Sequence, residues 1–289
     1  MTWLQIVVLA IVQGVTEFLP VSSSGHLILV PYATDWPDQG LAVDVAAHVG
    51  TLAAVFAYFW RDIWHLIVGF GRLCLGHRDT AGRLDGNGLL AVYIVIATVP
   101  ALLVGYLIYR NLGDGLRSVE LVAWTMIAFA VVLYAADRLG MTVRRLDDMR
   151  LGHAVVIGCA QAIAFLPGTS RSGITMVAAR LFGYQRTDAA RFSFLLSIPA
   201  IAAGGVLEGY ELWQTGSSDA MRDAVATGVL SAIAGLAESV LQRLCRVIGG
   251  GAYSRSSPFG FWHEDVRALG FLRPPWALAY TNLFKSSWS

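Results

Sequence analysis

The chain has 289 residues, of which 56% are hydrophobic and only 14% charged, and a formal net charge of +1. Soluble domains carry about 25% charged residues, so a chain this poor in charge cannot cover a globular surface, and a bilayer is its natural solvent. The near-neutral balance, without a dense basic tract, argues against nucleic acid. The three scattered cysteines, Cys74, Cys159 and Cys245, lack the spacing of a disulfide framework or zinc site.

The apolar run at the start, Ile6 to Val12, is not preceded by Lys or Arg, and Glu17 stands where a signal peptide would carry its small-residue cleavage site. It reads as mature structure. Residues 3–30 are apolar but broken by Thr-Glu-Phe-Leu-Pro-Val-Ser-Ser-Ser-Gly-His, which predicts a helix, a break and a second helix. Crossing a bilayer by helix takes roughly 20 mostly apolar residues. Residues 41–60, 89–109 and 119–136 qualify, and residues 192–210 and 224–241 do so later. Between these groups, residues 155–182 repeat the broken pattern around Phe-Leu-Pro-Gly-Thr-Ser-Arg-Ser-Gly. Such broken stretches are the pattern of re-entrant hairpins, whose tips must be buried in protein or line a wet cavity.

Arg61, Arg72, Arg78 and Arg83 follow the first span, Arg138, Arg144, Arg145 and Arg150 follow the third, and Arg180, Arg186 and Arg191 precede the fourth. The positive-inside rule places these loops in the cytoplasm. The first hairpin then enters from outside and the second from inside. The hairpins share Phe-Leu-Pro at Phe18–Pro20 and Phe165–Pro167, and Ser-Gly at Ser24–Gly25 and Ser172–Gly173, with a one-residue slip. The expected fold is therefore an all-α polytopic membrane protein of two inverted repeats, each a re-entrant hairpin plus transmembrane helices. The first covers residues 1–137 and the second 151–247. Inverted repeats with broken helices bring their breaks together near mid-membrane. Residues 248–289 form an atypical tail without the last span that the second repeat requires.

Glu17 is a carboxylate in apolar sequence, costly unless paired or bound to a cation, and so a functional candidate by default. Gln13 lies one turn before it and could share a cation such as Mg²⁺ or Ca²⁺. Ser22, Ser23, Ser24 and Gly25 offer hydroxyls and backbone N–H groups at a helix start, an anion-binding geometry. Gly168, Thr169, Ser170, Ser172 and Gly173 do the same around Arg171, whose planar fork suits phosphate oxygens. A structural Glu–Arg ion pair and ordinary helix caps are the plainer readings of these residues. Asp44 and His48, one turn apart near the outer end of the first span, could line the entrance to such a site, but read first as packing or cap residues.

At these residues the chain resembles the undecaprenyl-diphosphate phosphatase (bacitracin-resistance) family. The matching strings are Gln13-Gly-Val-Thr-Glu17-Phe-Leu-Pro-Val-Ser-Ser-Ser-Gly-His26, Pro167-Gly-Thr-Ser-Arg-Ser-Gly-Ile-Thr175 and Phe192-Ser-Phe-Leu-Leu-Ser-Ile-Pro-Ala200, within a likeness over roughly residues 1–240. The resemblance implies hydrolysis of undecaprenyl diphosphate to the monophosphate carrier lipid, with phosphate released on the periplasmic side of the bacterial inner membrane, and a divalent cation as cofactor. It assigns Gln13 and Glu17 to a paired acidic/amide motif and Ser23 and His26 to a catalytic motif. Arg171 becomes a diphosphate-binding arginine, with Ser170, Ser172 and Thr175 beside it. On chemical grounds Arg171 and the cation would neutralise the diphosphate. His26 would transfer protons, and either Ser23 or water would attack. The bare architecture also fits a transporter or flippase of a phosphorylated lipid or anion. The sequence leaves the oligomeric state open, a homodimer included.

Overall fold

The computed structural model describes residues 1–78, 84–112, 118–215 and 217–248. Among the described residues every regular element is helical: α1 (Trp3–Thr16), α2 (Ser23–Thr34), α3 (Leu41–Cys74), α4 (Gly86–Leu112), α5 (Val119–Leu139), α6 (Leu151–Gln161), α7 (Arg171–Leu181), α8 (Arg186–Thr215) and α9 (Ser218–Ile248). Short 3-10 turns stand at Leu146–Asp148 and Ala162–Phe165. The chain divides into two compact units, Met1–Leu236 and Ala237–Ser289. The tail expected over 248–289 lies outside the described residues, apart from Ile248 at the end of α9.

Among the described residues five helices are long and apolar enough to cross a membrane: Leu41–Cys74, Gly86–Ile108, Val119–Leu139, Arg186–Thr215 and Ser218–Val240. They coincide with the five expected spans, and the protein is an all-α, multi-pass membrane protein. The fourth and fifth begin about a turn and a half early, at Arg186 and Ser218, and the largest difference is in the first. The first span was expected to end at residue 60, yet α3 continues to Cys74 through a local break at Phe59 (φ −98°, ψ 18°). No proline stands at the break; the Phe59 ring packs against Tyr58 and Phe194, with centroids 4.7 and 5.9 Å away. Beyond it, Asp62 pairs with Arg191 of α8, and Gly69 meets α4 so closely that an added Cβ would lie 2.6 Å from the Gly88 nitrogen. The charged part of α3 thus stays helical because it packs on protein.

The remaining helices are short. At 1.5 Å per residue, the 14-residue α1 and 12-residue α2 are about 21 and 18 Å long, less than the roughly 30 Å of a hydrocarbon core. The 11-residue α6 and α7 are shorter still. In each pair the two helices pack on one another, so each pair forms a helical hairpin. Lipid tails give no hydrophobic drive for helix association, so small residues that admit close approach carry the packing. A Cβ on Gly50 of α3 would meet the Gly228 carbonyl oxygen of α9 at 2.0 Å, and one on Gly158 of α6 would meet the Ala97 carbonyl oxygen of α4 at 2.2 Å. An apolar cluster with Ile94, Ile157, Tyr184, Phe192, Leu195 and Leu196 joins α4, α6 and α8.

Candidate active site

Each hairpin turns on the same device. Ser22 caps α2 by accepting from the Gly25 N–H at 3.2 Å, and Ser170 caps α7 by accepting from the Gly173 N–H at 3.1 Å. A serine oxygen three residues before a glycine satisfies one of the orphan donors of the first turn. The one-residue slip between the two motifs is absorbed before the cap, since Ser22 stands two residues after Pro20 and Ser170 three after Pro167. The first tip has Ser22 itself in the left-handed region (φ 63°), the second has Gly168 (φ 94°). At Gly168 no side chain fits, since a Cβ would lie 2.0 Å from the Thr125 hydroxyl of α5, and that hydroxyl is hydrogen-bonded to the Pro167 carbonyl. The tips adjoin: the Cβ position of Gly25 is 3.4 Å from the Gly168 Cα.

Glu17 stands at the end of α1 and joins the two tips. Its Oε1 accepts from the Arg171 guanidinium at 2.5 Å. Its Oε2 accepts from the Ser23 hydroxyl at 2.5 Å and from Gln13 Nε2 at 3.1 Å, and His48 Nε2 lies 3.5 Å away. Gln13 is steadied by Thr51 of α3, at 3.3 Å. Glu17 is 8% exposed, and a buried carboxylate is tolerated where charge and hydrogen bonds surround it.

Glu17, Ser23, His48 and Arg171 face a cavity of about 200 Å³. Glu17, Ser22, Ser23, Ser24, Thr169, Ser170, Arg171 and Ser172 line it, with Leu19, Ala101, Ala164, Phe165 and Ala200 as its apolar wall. Other candidates are brought near but point elsewhere. Gln13 is fully buried behind Glu17. Gly25 and Gly173 allow close packing, the latter against the Phe129 ring. Thr175 is turned to α8, 2.6 Å from the Ser193 hydroxyl, and Ser193 donates to the Ser172 carbonyl at 3.0 Å. Together they fix the first turn of α7 from behind.

The histidines are placed differently from expectation. His26 has Nδ1 2.8 Å from the Ser22 carbonyl and is not among the residues lining the cavity. His48 is. Its Nδ1 lies 2.7 Å from the Asp44 carbonyl. A carbonyl only accepts, so Nδ1 carries the hydrogen, and in the neutral ring the Nε2 lone pair is left 3.3 Å from the Ser23 hydroxyl. Asp44 accepts from Gln39 at 2.6 Å rather than lining the cavity. Gln161, at the end of α6, also lines the cavity and was not singled out by sequence. The cost of burying a histidine in a span could have pointed to His48. For Gln161 the only hint was its place shortly before Phe-Leu-Pro, four residues ahead of Phe165 where Gln13 stands five ahead of Phe18.

The donor set bears on a cation. Both Glu17 oxygens already accept from protein donors, while Gln13 Oε1 is buried without a partner. Among the described residues no group of three or more His, Cys, Asp or Glu could hold a metal. The pair suits a cation whose other ligands are phosphate oxygens and water, as is usual for Mg²⁺.

Similarity to known proteins accords with this geometry. The chain is 47% identical over 252 residues to an undecaprenyl-diphosphatase of Ruegeria sp. (strain TM1040), covering 86% of this chain and 92% of that protein. It is 46% identical over 250 residues to the undecaprenyl-diphosphatase of Ruegeria pomeroyi, with 86% and 92% covered. It is 49% identical over 234 residues to that of Jannaschia sp. (strain CCS1), with 81% and 86% covered. The family model described as bacitracin resistance protein BacA matches residues 6–255, a range that takes in both hairpin tips and the cavity between them. The chain belongs to the bacitracin resistance protein BacA family.

Proposed function

We propose that the protein hydrolyses undecaprenyl diphosphate to undecaprenyl phosphate and inorganic phosphate, recycling a carrier lipid for cell-wall synthesis from the periplasmic face of the inner membrane. The observation that carries this reading is the junction of the hairpins: a guanidinium, a carboxylate and a hydroxyl in continuous contact, Arg171–Glu17–Ser23, at one cavity. Arg171 uses one terminal nitrogen on Glu17, and its Nε–H has no partner, so donors remain for phosphate. The N-termini of α2 and α7 add backbone N–H groups aimed at negative charge. The apolar wall of the cavity suits the isoprenoid end of the same molecule.

In the proposed reaction Ser23 Oγ attacks the terminal phosphorus, its proton passes to Glu17 or His48, and lipid monophosphate departs. Water then cleaves the phosphoserine, releasing phosphate and returning the proton. The Ser23 hydroxyl has one hydrogen and two acceptors, Glu17 at 2.5 Å and His48 at 3.3 Å, so the nearer carboxylate takes it first and His48 serves the water step. The competing version has water attack directly, with the same two groups as base. A divalent cation held by Glu17 and Gln13 Oε1 would neutralise charge on the diphosphate.

The test is phosphate release from a polyprenyl diphosphate by detergent-purified protein, which needs no second compartment and so separates an enzyme from a transporter. Glu17→Gln leaves the site uncharged opposite Arg171 and is expected to lower kcat by about 10²–10³-fold. Activity equal to wild type would reduce Glu17–Arg171 to a structural ion pair. Rapid quench that traps a phosphoserine absent from Ser23→Ala supports the covalent route, and Ser23→Ala with full activity supports direct attack by water.

A further inference from the structure

Gln161 closes α6, is 2% exposed and lines the cavity. Neither end of its amide is satisfied: Oε1 and Nε2 are both buried without a hydrogen-bond partner. Buried amides are almost always paired, because leaving one unpaired forfeits its hydration for nothing. Such a group at a ligand cavity points to a partner that arrives with the ligand.

The first hairpin offers a comparison. Gln13, in the last turn of α1 and five residues before Phe18 where Gln161 stands four before Phe165, has its Nε2 donating to the carboxylate one turn on, Glu17, at 3.1 Å. Four residues after Gln161 the second hairpin has Phe165 instead. The same amide therefore lacks its anion, and Phe165 adds apolar surface to the cavity that Gln161 also lines. Arg171, with its own unpartnered Nε–H, lines that cavity too.

We infer that Gln161 is a phosphate-binding residue, its Nε2–H donating to a phosphoryl oxygen of the diphosphate and its Oε1 accepting from a protonated oxygen or a water held with it. The inference rests on the proposed phosphatase reading. It adds a neutral donor from the second hairpin, so diphosphate recognition draws on one amide-bearing helix end that the matched motifs leave out.

Gln161→Leu and Gln161→Glu in the full chain test it, purified in detergent and assayed with a polyprenyl diphosphate. Inorganic diphosphate serves as competitor, and thermal unfolding is followed in parallel. Gln161→Leu removes an unsatisfied amide, so its unfolding midpoint is expected to equal or exceed that of wild type. Its KM and the inhibition constant for inorganic diphosphate are expected to rise about tenfold, the loss of one charge-assisted hydrogen bond, with kcat within threefold. Gln161→Glu is expected to weaken both further, since it sets a like charge against the ligand. Unchanged KM and inhibition constant in Gln161→Leu would overturn the inference, leaving the amide a holder of structural water. So would a lower midpoint with kcat and KM both impaired, which would mark a packing role. Failure of the wild type to release phosphate would sink the phosphatase reading alone, because direct titration of wild type and Gln161→Leu with inorganic diphosphate still decides the residue's role.

Discussion

Two histidines compete for one chemical task, and orientation separates them. Both donate Nδ1–H to a backbone carbonyl, at 2.8 Å for His26 and 2.7 Å for His48, so the two rings are fixed in the same tautomer. Only His48 then presents Nε2 to the Ser23 hydroxyl and Glu17. We expect His48→Gln to lower phosphate release about 10²-fold at neutral pH, the usual scale of a proton-transfer group, and to do so more than His26→Gln. The opposite ranking, read from steady-state rates, returns the task to His26. At this scale the sequence is informative where polarity is conspicuous. Glu17, Ser23 and Arg171 interrupt apolar runs and could be picked out with no structure. His48 and Gln161 are less conspicuous, because each lies in an ordinary helical stretch; a polar residue in a span flags His48, but its role comes from a neighbour remote in sequence, Ser23, 25 residues away.

At the scale of elements, α7 must present Arg171 at one end, and Arg180 anchors the other. Arg180 is 4% exposed and donates to the carbonyls of Tyr184, Gly140 and Met141 at 2.6, 2.8 and 3.1 Å, with Asp137 as its ion partner at 3.6 Å. It ties α7 to the end of α5. Arg180→Met strips a donor from the buried Tyr184 carbonyl and from two carbonyls at the end of α5, and is expected to destabilise the protein by about 3 kcal/mol. Unfolding by denaturant in detergent measures this, and a change under 1 kcal/mol would show the tie to be dispensable. Just beyond α7, the Tyr184 hydroxyl is 2.7 Å from His153 Nδ1 and 3.3 Å from the Asp148 carbonyl. Burial pushes this phenol up to about 12 from 10.0. The unfolded chain releases the proton first, so stability is undiminished below about pH 10 and falls as pH rises from there to about 12. Tyr184→Phe should abolish that part of the alkaline slope, as thermal unfolding at pH 9 and pH 11 would show. The helix count and the hairpins were legible from apolar runs and from Pro, Gly and Ser breaks. The extension of α3 past residue 60 was not, since hydropathy reports what faces lipid, and here charged sequence is kept helical by contacts with α4 and α8.

For the molecule as a whole, the proposed cation belongs with the substrate: its two protein ligands would be Glu17 and Gln13, and among the described residues no group of three or more His, Cys, Asp or Glu could hold a metal. Chelation of divalent ions is therefore expected to stop phosphate release and leave the unfolding temperature within about 2 °C, because a metal that binds only with substrate adds no linkage to folding. Activity that survives chelation would remove the cation from the proposal, and a large fall in unfolding temperature would place it in the fold. The membrane class was legible at this scale from composition alone, because 14% charged residues cannot clothe a soluble surface of this size. The cavity was not, since its walls come from α1, α2, α3, α4, the second hairpin and α8 together.

The bond between Arg171 and Glu17 joins residues 154 positions apart. Contacts of such long sequence separation close late in folding, after the loops between them have been ordered. Catalysis therefore reports on the completeness of the tertiary structure, and on heating it should be lost before the helices melt. Neither half of the chain owns the reaction, and a protein cut in the segment between α5 and α6 would recover activity only when both fragments meet in one membrane.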